Sequence, residues 1–228
     1  MIAAFFDLDG TLCTEHVWGA FNKYFTEHRR RRLLLNAFLA THFSLWPLHR
    51  LGLLSRARFF RLWIKNMPWL LVGLRPEEGQ EIFRWVTDQA LIPSLRPDVA
   101  VVLRQHQAEG HLVVLVSGAF EELLACLGER LGVQHVVGTR LELNRGRYSG
   151  RAAKPSCFGD DKVALLTELL AKSSLDVDLG QSFAYGDSIF DVPVLELVGN
   201  PVAVYPDSQL WDYALQRGWK VIGEPRET

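Results

Sequence analysis

Two pairs of aspartates, one at the start of the chain and one towards its end, have a spacing suited to chemistry. Asp7 and Asp9 are two residues apart after a short apolar run, so both side chains can project from one side of a strand end. Asp187 and Asp191 follow another apolar run, residues 182–186. Carboxylates held this close repel each other and need a proton or a cation between them. Oxygen ligands without histidine or cysteine favour Mg²⁺ over Zn²⁺.

Small and hydroxyl-bearing residues accompany these aspartates and could hold an anion. Gly10 and Thr11 follow Asp9 in a tight turn whose backbone amides can face an anion. Ser117 and Gly118 end a third apolar run and offer a hydroxyl and an amide at the start of the next helix. A lone Asp-x-Asp or Ser-Gly pair can equally be a turn or a helix cap, but the four aspartates together favour a common site.

Short apolar runs alternate along the chain with stretches long enough for a helix. We predict strands over residues 2–8, 111–117, 133–137, 182–186 and 201–205, and helices over residues 98–109, 120–131, 160–172, 192–198 and 208–216. Continuous apolar strands of this kind indicate an α/β fold with a doubly wound parallel sheet covered on both faces. The carboxyl ends of such strands share one edge, so the four aspartates are expected to converge there. Residues 141–150 break the rhythm and predict a β-hairpin.

Helical periodicity covers residues 14–91, a length far beyond the single crossover that a doubly wound fold needs at this point. An all-helical cap inserted after the first strand explains this segment. We therefore assign residues 1–13 and 93–222 to an α/β core, residues 14–92 to the cap and residues 223–228 to a frayed tail.

Charge is sorted unevenly along the chain. The 228 residues carry a net charge of −1, yet residues 28–75 contain ten lysines and arginines and no acidic residue, which leaves −11 on the rest. We call residues 28–75 the basic block. Its charge indicates either an anionic partner or a solvated surface. A hydrophobic content of 48% supports a packed core and excludes a disordered chain.

The cysteines and the amino terminus favour a cytoplasmic location. Cys13, Cys126 and Cys157 are odd in number and widely spaced, which argues against a disulfide framework. The first residues lack the cationic lead of a signal peptide and include two aspartates. Residues 33–49 carry no formal charge but are too short and too polar to span a membrane.

Four segments, in order and spacing, resemble the motifs of the haloacid dehalogenase superfamily of phosphohydrolases. Phe6-Asp7-Leu8-Asp9-Gly10-Thr11-Leu12 matches the first motif, Ser117-Gly118 the second and Gly186-Asp187-Ser188-Ile189-Phe190-Asp191 the fourth. The third motif is a lysine, for which Lys162, 25 residues before Asp187, fits better than Lys154 in its Pro-flanked loop. The helical insert resembles the type-one cap of subfamily IB, the branch that includes phosphoserine phosphatase.

This resemblance implies a Mg²⁺-dependent phosphomonoester hydrolase that works through an aspartyl phosphate. Asp7 would be the nucleophile, while Asp9 would protonate the leaving alcohol and then activate water. Asp7, Asp187 and the backbone carbonyl of Asp9 would hold Mg²⁺. The phosphoryl oxygens would be bound by Lys162, Ser117, Thr11 and the amides of Gly10 and Gly118. Asp191 would orient Lys162 or a metal-bound water.

Two departures from the family pattern bear on the substrate. Phosphoserine phosphatases have a glutamate nine residues after the nucleophile, where this chain has His16, with Glu15 one place earlier. They also have an asparagine at the position where this chain has Phe190. Residues 199–207 look more like relatives that dephosphorylate lipids such as phosphatidylglycerophosphate. The predicted substrate is therefore a lipid phosphate headgroup or a related phosphomonoester. The alternatives are phosphoserine or another small metabolite, transfer to another alcohol, and a non-catalytic membrane- or partner-binding module.

The basic block suggests how a lipid substrate would be reached. On a predicted helix over residues 54–66, one face carries Arg58, Arg61 and Lys65, and the opposite face carries Phe59, Phe60, Trp63 and Ile64. A cationic face beside an aromatic face resembles a helix at an anionic lipid surface, which would make the protein peripheral to the inner membrane. The aromatics could equally form the cap's own core. The block has no recognised nucleic-acid-binding motif, so no nucleic acid partner is expected.

Overall fold

A six-stranded parallel sheet forms the centre of the protein, seen in a computed structural model that describes residues 1–173 and 175–226. The strands are β1 (Ala3–Phe6), β2 (Leu112–Phe120), β3 (His135–Thr139), β4 (Leu141–Asn144), β5 (Arg147–Ala152), β6 (Phe183–Gly186), β7 (Asn200–Val204) and β8 (Lys220–Ile222). The sheet has the order β3-β2-β1-β6-β7-β8, and β4 pairs with β5 in a separate antiparallel hairpin. The predicted doubly wound parallel sheet and the hairpin are both confirmed.

Alternating residues of the central strands enter two different apolar clusters. Phe6 and Leu115 belong to the cluster on one face, and Phe5 and Val114 to the cluster on the other. All four residues of β1 are buried. Burial on both faces explains why these strands read as unbroken apolar runs.

Helices cover both faces and also fill the long segment after β1. They are α1 (Val17–Glu27), α2 (Arg32–Phe43), α3 (Trp46–Arg50), α4 (Arg56–Asn66), α5 (Pro76–Val86), α6 (Pro97–Ala108), α7 (Glu121–Leu131), α8 (Asp160–Lys172), α9 (Val192–Leu195) and α10 (Ser208–Arg217). Tighter or wider helical turns lie at Met67–Leu71, Thr87–Leu91, Ile92–Ser94 and Ile189–Asp191. Within the described ranges, no helix is both long enough and apolar enough to span a bilayer.

Among the helices between β1 and α6, α1 and α5 pack directly against the core. On α1, Phe21 packs 5.6 Å from Phe120 at the end of β2 and 6.2 Å from Phe83 on α5, as measured between ring centroids. These side chains belong to the same apolar cluster as the sheet residues. The predicted boundaries of the cap, residues 14–92, stay a prediction, because this apolar packing continues from α1 and α5 into the core.

Two features at the carboxyl-terminal end differ from the sequence-based expectation. The edge strand β8 was not predicted, because three residues next to Trp219 show no strand pattern. In the predicted frayed tail, the amide of Arg226 donates a 2.9 Å hydrogen bond to the carbonyl of Pro206, so residues 223–226 lie against the core. Residues 227 and 228 of that tail lie outside the described residues.

Candidate active site

A buried lysine joins two of the predicted aspartates. Lys162, in the first turn of α8, donates from Nζ to Asp7 Oδ1 at 2.7 Å and to Asp191 Oδ1 at 2.6 Å. All three side chains are at most 10% exposed. A charge pair this deeply buried is stable only when its hydrogen bonds are satisfied, as they are here. Lys154, the alternative lysine, is exposed in the loop after β5.

The strand ends hold the aspartates in register. The amide of Asp7 donates to the carbonyl of Tyr185 at 3.0 Å, which extends the β1–β6 pairing by one residue. Asp187 follows β6 directly, and Thr11 Oγ1 donates to its Oδ1 at 3.3 Å. Asp191 Oδ2 accepts from the amide and the hydroxyl of Ser188 at 3.1 and 2.9 Å. Residues 180 positions apart in sequence therefore meet at one edge of the sheet, as predicted.

Burial dominates the proton affinity of these groups. It raises the pKa of Asp7 to about 7, against the opposing charge of Lys162. It also raises the pKa of Asp9 to about 6, although the amide of Val17 donates to Asp9 Oδ1 at 3.0 Å and favours the ionised form. The pKa of Asp187 is raised for the same reason. A pKa of about 6 suits Asp9 as a group that must exchange a proton.

The donor set fits a hard divalent cation. Carboxylate oxygens of Asp7, Asp187 and Asp191 lie within 4.8 Å of one another. Gly10 lines this space with φ +84°, and a Cβ there would lie only 2.3 Å from Asp187 Oδ2. Three carboxylates that offer only oxygen ligands, beside a backbone position with no room for a side chain, suit Mg²⁺. The carboxylate of Asp9 is turned away to Val17, so its side chain is not among these oxygens.

The predicted phosphate-binding pair lies on β2, whose described range continues past it to Phe120. Ser117 Oγ accepts from the amide of Ala119 at 3.2 Å, and Thr139 Oγ1 donates to the carbonyl of Gly118 at 2.9 Å. A Cβ at Gly118 would lie 2.9 Å from the side chain of Ile64 on α4. Gly118 therefore lets the helix α4 approach the strand end closely.

Helix α4 lies against the carboxyl ends of β2 and β6, and we call the space between them the mouth of the site. The helix contacts the core with both charged and aromatic residues. Arg56 pairs with Asp207 at 3.0 Å, and Arg61 pairs with Asp161 at 3.1 Å. Phe60 lies 5.9 Å from Phe190 between ring centroids. The membrane-facing cationic surface stays a prediction, and within it the guanidinium of Arg61 has a partner in the core. A helical wheel shows which residues share a face, but it does not show what that face meets.

The aromatic face predicted for α4 divides in two. Phe59 is buried within the cap, where it stacks 5.7 Å from His49. Phe60 faces the mouth, and Phe190 in turn lies 4.8 Å from Phe158. The mouth is thus lined by aromatic rings.

Arg226 is a site residue that sequence reasoning missed. Its guanidinium pairs with the carboxylate of Asp187 and donates to the Asp187 carbonyl at 3.2 Å. The charge of Arg226 therefore occupies a position beside a predicted metal ligand. No sequence signal marks a lone arginine in a terminal segment as part of a site 39 residues away.

A second group of titratable residues lies at the opposite edge of the sheet. His106 bonds through Nδ1 to His111 Nδ1 at 2.8 Å and through Nε2 to the hydroxyl of Tyr185 at 2.8 Å, and Glu109 lies 3.6 Å from His111. Both ring nitrogens of His106 are thereby satisfied. His106, His111, Glu109 and Tyr185 therefore form a hydrogen-bonded network that joins the end of α6 to β6.

Comparison with known proteins places this geometry in a family. Residues 4–196 match the family model described as haloacid dehalogenase-like hydrolase. A probable phosphatase of Mycobacterium tuberculosis is 31% identical over 98% of this chain and 76% of its own length. A histidinol-phosphatase of Neisseria meningitidis is 27% identical over 96% of this chain and 97% of its own length.

Solved structures show the same fold. A Bordetella pertussis protein of unknown function has a TM-score of 0.79 at 29% identity and covers 97% of each chain. A phospho-aspartyl intermediate analogue of phosphoserine phosphatase has a TM-score of 0.63 at 16% identity, covering 99% of this chain and 94% of that one. The chain thus belongs to the haloacid dehalogenase-like hydrolase family, and its relatives include proteins named as phosphatases.

Proposed function

We propose that the protein is a Mg²⁺-dependent phosphomonoester hydrolase that forms an aspartyl phosphate on Asp7 and acts on amphiphilic substrates, with a lipid phosphate headgroup as the leading class. The observation that carries the proposal is the buried Asp7–Lys162–Asp191 arrangement next to Asp187. A cation at Lys162 favours the ionised form of the nucleophilic carboxylate and can also neutralise a phosphoryl oxygen.

The chain's own residues account for both half-reactions. An oxygen of Asp7 attacks phosphorus, the bond from phosphorus to the ester oxygen breaks, and Asp9 gives its proton to the leaving alcohol. A water molecule then attacks the phosphorus of the aspartyl phosphate while Asp9 takes its proton. The bond between phosphorus and the Asp7 oxygen breaks, which releases phosphate. The pKa of Asp9, which burial raises to about 6, suits a group that acts first as acid and then as base.

The remaining residues position the phosphoryl group. Ser117, Thr11 and the amides of Gly10 and Gly118 would bind its oxygens, and Asp191 holds Lys162 in place. Mg²⁺, held by Asp7, Asp187 and the backbone carbonyl of Asp9, would supply positive charge that stabilises the ionised nucleophile and the phosphoryl oxygens.

The mouth supports a substrate with an apolar leaving group. Phe60, Phe158, Phe190 and Ile64 lie between α4 and the carboxyl end of the sheet. The Glu15 side chain is folded back towards the start of α1, where it accepts from the His16 amide at 3.1 Å. These contacts favour an alkyl or aromatic group over the small zwitterion phosphoserine.

Histidinol phosphate is a second candidate substrate. It is favoured by the Neisseria meningitidis relative, which bears the name histidinol-phosphatase and aligns over nearly the whole of both chains. An imidazole ring could stack on the aromatic residues Phe158 and Phe190, whose rings are already 4.8 Å apart.

A substrate panel distinguishes these functions. Phosphate release is measured with Mg²⁺ from lysophosphatidate, phosphatidylglycerophosphate, histidinol phosphate and phosphoserine, the lipids being presented in neutral detergent micelles. Higher kcat/KM on the lipids supports the leading class, and higher kcat/KM on histidinol phosphate selects the second. Asp7→Asn should lower turnover at least about a thousandfold while leaving the fold intact. Retained turnover in that variant would refute the aspartyl phosphate, and absence of turnover on every substrate would favour a non-catalytic binding module.

A further inference from the structure

An exposed apolar tip projects from the helical segment beside the mouth. We use "tip" for residues 43–53, which comprise the end of α2, all of α3 and the turn that leads to α4. Of the thirteen large hydrophobic side chains that are exposed in the described chain, five lie in these eleven residues: Phe43, Trp46, Leu48, Leu51 and Leu53. Leu51 and Leu53 are each 72% exposed. Single exposed apolar residues are ordinary, but a group of this density marks an interaction surface.

The tip has a defined structure. His49 Nδ1 hydrogen bonds to the carbonyl of Leu54 at 2.9 Å, and the His49 ring stacks 5.7 Å from the buried Phe59 of α4. Trp46 packs on Phe59 at 5.9 Å. The inner side of the tip is therefore anchored, and its outer side chains are presented to the surroundings by a fixed backbone.

The surroundings of the tip are cationic. The basic block has no acidic residue, and its ion pairs with carboxylates in residues 1–173 and 175–226 involve Arg56, Arg61 and Arg75. Arg50 lies within the tip and Arg58 in the first turn of α4, and both are exposed. Apolar side chains bordered by arginines without carboxylate partners complement a surface that is both apolar and negatively charged.

We propose that the tip, residues 43–53, docks on the surface of an anionic lipid bilayer and so brings the mouth of the active site to lipid phosphates. This inference builds on the proposed lipid-phosphate function and names the partner surface. Phe43, Leu48, Leu51 and Leu53 insert among the acyl chains, and Arg50 and Arg58 contact the headgroups.

The connection to the active site is direct. The tip leads into Ser55, whose hydroxyl accepts from the amide of Arg58 and begins α4. Helix α4 then carries Arg56 to Asp207 and Phe60 to Phe190, which precedes Asp191. The amide of Asp207 in turn donates to the carbonyl of Asp187 at 2.8 Å. A bilayer bound at the tip therefore lies against the helix that covers the mouth.

Vesicle co-flotation of the full chain tests this proposal. Wild-type protein should float with vesicles that combine phosphatidylcholine and phosphatidylglycerol, and much less with phosphatidylcholine alone or at high salt. The double variant Leu51→Glu/Leu53→Glu should bind at least about tenfold more weakly. Arg50→Gln/Arg58→Gln should weaken binding about 25-fold, since each arginine near such a surface contributes about fivefold.

Matched variants elsewhere provide the control. Leu143 and Leu215 are exposed by 54% and 57% on the hairpin and on α10, so Leu143→Glu/Leu215→Glu should leave flotation unchanged. Equal losses in both leucine double variants, or equal binding of the wild type to neutral and anionic vesicles, would overturn the proposal. A dimer in sedimentation that the tip variant dissociates, without vesicle binding, would assign the tip to a second copy of this chain instead.

Hydrolysis of p-nitrophenyl phosphate separates this proposal from the proposed function. The tip variants should retain wild-type turnover of that soluble ester. Turnover without vesicle binding refutes the docking surface and leaves the phosphatase intact. Vesicle binding by a protein that hydrolyses no phosphomonoester refutes the proposed function and leaves the docking surface.

Discussion

Replacing Lys162 by methionine tests the electrostatic core of the site. The substitution keeps the length and apolar stem of the side chain but removes the cation that bonds to Asp7 at 2.7 Å and to Asp191 at 2.6 Å. Both carboxylates then remain buried without their partner. Breaking a buried ion pair from one side costs about 3–5 kcal/mol, so Lys162→Met should lower the free energy of unfolding by about that amount at neutral pH. The urea midpoint should fall by about 1–2 M.

The deficit should depend on pH in a defined direction. Burial raises the pKa of Asp7 to about 7, and loss of Lys162 raises that pKa further. A carboxyl whose pKa is higher in the folded than in the unfolded protein stabilises the fold at low pH, and this stability is lost as pH rises through the folded pKa. The difference between Lys162→Met and wild type should therefore shrink as pH falls from 8 towards 4, and Mg²⁺ should also reduce it by binding the unpaired carboxylates.

Lys172→Met is the matched control for this experiment. Lys172 lies at the other end of α8 and is 68% exposed, where it pairs with Glu168. An exposed pair of this kind contributes about 0.3–0.5 kcal/mol. Urea unfolding followed by circular dichroism measures both variants. The reasoning is refuted if Lys162→Met is as stable as Lys172→Met at pH 8, or if its deficit is the same at low and high pH.

Three further variants probe the surroundings of the carboxylates. Gly10→Ala should destabilise the fold by about 1–2 kcal/mol, because φ at this position is +84°. It should also lower turnover more than tenfold, because the new Cβ would displace the side chain of Asp187. Wild-type kinetics in this variant would contradict the prediction. Arg226→Ala should tighten Mg²⁺ binding in calorimetry, because its guanidinium competes for Asp187, and weaker binding would disprove the competition. Burial lowers the pKa of His106 in the folded protein. Below about pH 6.5 the unfolded chain therefore binds a proton on His106 that the folded protein does not, which lowers the free energy of unfolding. In urea titrations, the stability of the wild type should fall more steeply with acidification than that of His106→Asn.

The sequence predicted the sheet and the convergence of its aspartates because both depend on local patterns. The runs that became β1 and β6 are apolar at every position, which is what burial on two faces requires. The rule that parallel strands end at one edge then placed Asp7 and Asp187 together across 180 residues. Lys162 rather than Lys154 lies beside Asp7 and Asp191, and its place in the first turn of a helix after a Gly can be read from the sequence.

Contacts that depend on tertiary packing could not be read in this way. Arg61 bonds to Asp161, a residue 100 positions away on another element, and helical periodicity carries no information about such a partner. Arg226 reaches Asp187 only because the preceding strand β8 pairs with β7 and directs the chain back to the site. In each case the residue's charge was visible in the sequence, but its partner was set by the topology.

The same contacts explain part of the uneven charge distribution. Two cations of the basic block, Arg56 and Arg61, bond to the core acids Asp207 and Asp161, so part of the opposite charge on the two segments holds α4 over the mouth. The Arg61 pair is exposed and contributes at most about 1 kcal/mol, which salt screens. The arginines that remain exposed near residues 43–53 have no such partner in the core, and an anionic bilayer would satisfy their charge where the substrate is found.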